Sequence, residues 1–178
     1  MRRRLARKAA IYGIVLFLVI WPIYQVVQML SSHKEEHDAT HLLYQVSLFQ
    51  MELLNNDLAE AGKAKDTAEL NAVKQALYSA GYTHERLVLA VGGNEYLTSL
   101  NSITQLMQYI QRLQIGGERQ LKPEELQLLQ DSANQYKAIY QAYEKAMSAK
   151  GDMISSQNAK LAQLDAALAT AIRKKMLQ

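Results

Sequence analysis

From residue 42 onward, apolar positions recur at steps of three and four, the spacing of one face of an α-helix. In the first stretch Leu42, Val46, Phe49 and Leu53 follow this rhythm, with Leu43, Leu54 and Leu58 widening the stripe. The pattern predicts a helix that turns its Leu42–Leu53 side to a core and ends near Ala61, where Gly62 supplies a stop. Asp66 and Glu69 then stand at the spacing of a capping box, ahead of Leu70, Val73, Leu77, Ala80, His84, Leu87 and Val91. That register passes through Gly81 unchanged, so one helix is expected there, closed by Gly92 to Asn94. A third stripe, Leu97, Leu100, Ile103, Met107, Ile110 and Leu113, stops at Gly116 and Gly117. The fourth begins at "LKPEEL", where Pro123 suits a first helical turn and Glu124 with Glu125 faces the positive end of the helix dipole. Its inward positions are Leu126, Leu129, Ala133, Tyr136, Tyr140, Tyr143 and Met147.

The same rhythm continues through Ile154, Leu161, Leu164 and Leu168, which favours one long helix, whereas Gly151 and Asp152 read as a stop and a new N-cap. Length decides between them. A straight helix from Pro123 to Met176 would extend about 80 Å, against about 46 Å for the chain between Leu30 and Ala61. The expectation is a break near Gly151, with the final segment folding back or lying along the membrane or a partner.

Before residue 42 the pattern changes. "MRRRLARK" carries five basic residues and no acid, and Ala9 to Leu30 is apolar but for Gln25 and Gln28. Twenty-two residues at about 1.5 Å each can cross a hydrocarbon core about 30 Å thick. The basic tail belongs on the cytoplasmic side, and Trp21 and Tyr24 suit the opposite interface. An uncleaved anchor is favoured over a signal peptide, because the run is long and no small-x-small cleavage site follows. The expected organisation is a cytoplasmic tail at 1–8, a transmembrane helix at 9–30, a helical stalk at 31–41, an extracytoplasmic bundle at 42–149 and an amphipathic C-terminal segment at 150–178.

Composition narrows the chemistry. The 178 residues include two prolines, eight glycines and no cysteine, which suits an all-α fold and excludes disulfides, thiolate metal sites and a cysteine nucleophile. The formal charge of +3 arises from the N-terminal tail: five of the 20 basic residues lie there, leaving 15 against 17 acidic ones. The charge therefore speaks for topology and gives no support to nucleic-acid binding.

The stretch "SSHKEEHDATH" holds three of the four histidines at intervals of four, and "HKEEH" spells a zinc-peptidase pattern. Such a peptidase needs a further ligand and a cleft within a large domain, whereas this string follows the anchor directly. Read backward from Leu42, the apolar register places His33, His37 and His41 on the outer face. They form a candidate site for a divalent metal shared by an i,i+4 pair, or a pH-responsive stalk, since histidine titrates near pH 6.5. His84, alone on an inward face, reads as a hydrogen-bonded core residue. Tyr136, Tyr140 and Tyr143 read as amphipathic core residues, with a ligand pocket beside Tyr136 and Tyr140 as the alternative. Neither diglycine has the Lys-Ser/Thr of a phosphate loop.

The expectation is thus an all-α protein: one N-terminal transmembrane helix, an antiparallel bundle of about four helices and a C-terminal helical extension. In outline it resembles the helical extracytoplasmic domains of bacterial signalling and envelope proteins. With no catalytic constellation, the expected role is non-enzymatic. The bilayer would be one partner, through residues 9–30, and another envelope protein or a second copy the other, through Ile154, Leu161, Leu164 and Leu168. A domain that senses a ligand or metal is the alternative, and no cofactor beyond such a metal is implied.

Overall fold

A computed structural model describes residues 39–177, together with positions 17, 20–22, 24 and 25. The chain forms two compact units, Met1–Ala39 and Thr40–Gln178. In the first, the described positions are helical, and the rings of Phe17 and Trp21 lie one turn apart at 5.2 Å. The rest of the expected anchor at 9–30, and the stalk at 31–38, fall outside the described residues. Among the described residues no helix is long and apolar enough to cross a membrane.

The second unit is an all-helical bundle. Its helices are α1 (39–61), α2 (Asn71–Ala90), α3 (Asn101–Gln114), α4 (Pro123–Tyr143) and α5 (Ser155–Met176). α1, α3 and α5 run one way and α2 and α4 return. Contacts fix these directions: Tyr44 meets Tyr143 while Gly62 meets Gln130, so α1 and α4 are antiparallel. Ser102 meets Asp165 and Arg112 meets the Met176 carbonyl, so α3 and α5 are parallel neighbours.

Local chemistry explains most of the boundaries. Asp66 accepts bonds from the amides of Ala68 and Glu69, and the Glu69 carboxylate accepts one from Lys65 N at 2.8 Å. This reciprocal pair caps a turn ahead of α2 rather than the helix itself. Gly81 lies inside α2 as the register required, and a Cβ there would come within 3.3 Å of Ile103. At the start of α4, Pro123 takes the first position and Glu125 reaches back to Lys122 N at 2.9 Å.

The expected break is at Gly151, whose φ of +89° puts it in the left-handed region that a side chain disfavours. Around it the chain forms a small hairpin, with Ser148 N bonded to Asp152 O and Ile154 N to Ala146 O, both at 2.8 Å. The segment after it is the fifth helix of the bundle, sharing the core with α3 and α4 rather than extending from it. At the other end the loops 62–70 and 115–122 are joined by Thr67 N to Arg119 O and Leu121 N to Lys65 O, both 2.9 Å.

The core is formed by Leu54, Leu58, Leu70, Leu77, Leu87, Leu106, Ile110, Leu129, Tyr136, Tyr143, Leu161 and Leu168 with their neighbours. The stripes expected for α2 and α3 are the buried ones, apart from half-buried Val91 and Met107. On α4 the buried face is rotated toward Leu128, Ser132, Ile139 and Ala142, leaving Leu126, Ala133 and Tyr140 at its edge.

Candidate functional site: the outer face of the first helix

α1 carries two apolar stripes on roughly opposite sides. Tyr44, Ser47, Met51, Leu54, Leu58 and Ala61 alternate steps of three and four along its length, and all are buried. The stripe expected to face the core is the other one, and it faces solvent: Leu42 is 61%, Val46 49%, Phe49 55% and Leu53 39% exposed. The expectation for this helix is therefore reversed for these four positions, whereas Leu54 and Leu58, which widened the expected stripe, are fully buried and Leu43 is half-buried against the core. The physical reason is reach. The Leu42 stripe ends at Leu53, because the next positions in register are Asn56 and Glu60, whereas the Tyr44 stripe continues to the helix end and can cover the full length of α4.

Ser47 concealed the inward stripe, because a polar residue interrupts an apolar pattern. Its Oγ lies 2.7 Å from the Tyr143 hydroxyl, 96 residues away in sequence. That hydroxyl also lies 3.1 Å from His84 Nδ1, and His84 Nε2 lies 2.9 Å from Thr98 O. A carbonyl only accepts, so Nε2 holds the ring proton. Nδ1 then accepts from Tyr143, and Ser47 donates to the Tyr143 oxygen. Burial pushes the His84 pKa down to about 4 and the Tyr143 hydroxyl well up, so both are neutral at pH 7. Tyr44 completes the cluster, donating to the Tyr143 carbonyl at 2.8 Å with its ring stacked at 5.9 Å. Every polar group here has a partner, and the cluster serves to lock α1, α2 and α4 together. Asp165 of α5 plays a similar part. Its carboxylate accepts from the amides of Asn101 and Ser102, both at 2.9 Å, and so caps α3 from another helix. No local spacing signals that role.

The outer stripe borders a groove. Leu53, Gln50 and Asp57 of α1 face Asn71, Gln75 and Ser79 of α2 across a cavity of about 450 Å³. An apolar ridge beside a groove that Ala72 and Ala76 also line is a surface that an amphipathic helix can cover. A second apolar patch lies on α2, where Tyr78, Tyr82 and Leu89 are exposed and Arg86 stacks over Tyr82 at 5.1 Å.

The other sequence-predicted residues are placed as follows. His33 and His37 lie outside the described residues. His41 is half-buried, three residues before inward-facing Tyr44, with Nδ1 3.4 Å from Gln45 Nε2. The Leu42 register from which its outward position was read is not the buried one. Among the described residues no group of three or more histidine, cysteine or acidic side chains could hold a metal. Leu161 and Leu168 are fully buried and Leu164 is half-buried against the core, so the face expected to bind a partner is α5's packing face. Ile154, at the α5 N-cap, is the one exposed member of that set. Tyr136 is sealed, its hydroxyl donating to Met51 Sδ at 2.7 Å, which leaves no room for a ligand at that group.

No protein-family model matches the chain, and neither a curated protein nor a solved structure shows significant similarity to it.

Proposed function

We propose that this chain is a non-enzymatic, membrane-tethered interaction protein that self-associates through the outer face of α1. The observation that carries the proposal is the exposed stripe Leu42, Val46, Phe49 and Leu53, whose steps of four, three and four match the seam of a two-stranded coiled coil. Residues 9–30 would tether two copies in parallel and in register, so that the same positions of α1 meet. Beside the seam, Gln45 of one copy would meet Gln50 of the other, an uncharged pair able to exchange hydrogen bonds.

Magnitudes explain why a tether matters. Fully burying a large apolar side chain stabilises by about 1.5–3 kcal/mol, so covering four half-exposed ones on each of two copies yields roughly 8 kcal/mol. Association in solution costs a comparable amount, about 4–15 kcal/mol, in lost translation and rotation. A shared bilayer removes much of this cost by raising the effective concentration. The dimer is therefore expected on membranes and not among free bundles.

The natural chain lacks cysteine, so single substitutions report cleanly. Val46→Cys and Phe49→Cys should form disulfide-linked dimers in membranes under mild oxidation, with Lys160→Cys on exposed α5 surface as the control. Crosslinking at positions 46 and 49 no greater than at 160 would sink the proposal. Partners of other mass crosslinked at 46 would replace the second copy by another envelope protein.

A further inference from the structure

At the end of the bundle where α3 and α5 finish and α4 begins, a cavity of about 540 Å³ lies open to solvent. It is at the opposite end from Leu42 and has no part in the α1 surface. Its volume falls in the range of small-molecule sites. The floor is formed by Tyr109, Leu113 and Leu128, all buried, and the rim by Arg112, Arg119, Lys122, Glu124, Glu125 and Lys175.

The charges are not balanced once existing pairs are set aside. Arg119 and Glu125 neutralise each other through two bonds of 2.7 and 2.8 Å. Arg112 donates to the Met176 carbonyl at 2.8 Å, a neutral acceptor that leaves its charge uncompensated. Lys122 and Lys175 make no ion pair among the described residues. Three cations therefore face the cavity against Glu124. Tyr109 adds a polar group to this wall: it is 8% exposed and lines the cavity, and its hydroxyl, which reaches solvent, is free to bond a molecule bound there. Burial raises its pKa to about 12, so at pH 7 the hydroxyl is protonated and able to donate.

We infer that this cavity binds a small soluble organic anion, with a phosphate or carboxylate among Arg112, Lys122 and Lys175 and an apolar part over Leu113 and Leu128. The Tyr109 hydroxyl donates to the anionic group. Arginine and lysine together supply the charge-assisted donors that such groups require, and the apolar floor selects against bare inorganic ions.

Isothermal titration of the full chain in phosphatidylcholine nanodiscs tests this with phenyl phosphate, inorganic phosphate and benzylamine. Phenyl phosphate should bind with a Kd below about 1 mM, more tightly than inorganic phosphate, and benzylamine should not bind. Lys122→Gln with Lys175→Gln should weaken phenyl phosphate about tenfold or more, and Tyr109→Phe severalfold. An unchanged circular-dichroism melt would show that the variants fold. Phenyl phosphate binding that is undetectable, equal to that of benzylamine, or indifferent to both lysine substitutions overturns the inference. Loss of binding when the nanodisc contains phosphatidylglycerol would overturn the assignment to a soluble ligand in favour of a lipid headgroup.

Discussion

On one side of α1, Met51, Leu54 and Leu58 are sealed in the bundle, while on the other Leu42, Val46 and Phe49 remain about half exposed or more. The exposed side has the larger share of bulky apolar residues, and the buried side includes a serine. What separates them is the match to the rest of the molecule. The inner stripe runs the full helix and meets α4 along its length, and its serine meets a tyrosine hydroxyl that also needs a partner. Local hydrophobicity measures how favourable burial would be, but packing decides which face is buried.

Three measurements break or sharpen this contrast. The largest effect is expected from Leu54→Ala, which empties a fully buried position and should cost about 2–5 kcal/mol in urea unfolding followed by circular dichroism. Its neighbour Leu53→Ala should stay within about 1 kcal/mol. Equal costs would mean that the faces are wrongly assigned.

A smaller effect should come from pH through the cluster beneath the inner face. His84 has a folded pKa of about 4 against an ordinary value of 6.5, so the unfolded chain takes up a proton that the folded chain refuses. Stability is therefore full above pH 6.5 and falls as pH drops through 6.5 toward 4. Between pH 7.5 and 5 the loss should be about 2 kcal/mol. The Arg119 partner holds the Glu125 pKa below its ordinary value of 4.5, so that carboxylate loses its contribution only at lower pH, and the window above 5 isolates His84. Urea midpoints measured across this window should show the slope in the natural chain and not in His84→Gln. A slope retained in the variant would refute the assignment.

The smallest effect concerns the residue that hid the inner face. Ser47→Ala should cost about 1 kcal/mol, the usual net value of one buried hydrogen bond. In a Tyr143→Phe background it should cost almost nothing further, because its partner is already gone. Full additivity in this double-mutant cycle would show that the Ser47–Tyr143 contact contributes no stability.

Much of the bundle was legible along the chain. Gly62, Gly92 with Gly93, Gly116 with Gly117, and Pro123 punctuate it at the observed turns, and the inward rows of α2 and α3 follow the three-four rhythm closely. Gly151 could be recognised as a break only because the length of the alternative helix conflicted with the rest. The candidate surfaces were less legible. Two stripes on α1 satisfied the same periodicity, and the wrong one was the more apolar. On α5, Leu161 and Leu168 looked available because the expected break near Gly151 left open whether the segment packs on the bundle, a membrane or a partner. The cavity lined by Tyr109, Arg112, Lys122 and Lys175 draws on three helix ends, and no spacing in sequence brings those together.

The chain by itself determined that it would be helical, where its helices stop, and that an apolar run with a basic flank precedes the bundle. These follow from interactions within a few residues: backbone freedom at glycine, caps, dipoles and the period of 3.6. Tertiary structure alone decided which face of α1 is inside, that Ser47 and His84 share one tyrosine, and that Asp165 caps another helix. Those outcomes depend on partners 50 to 100 residues away, whose positions are set only when the helices pack together.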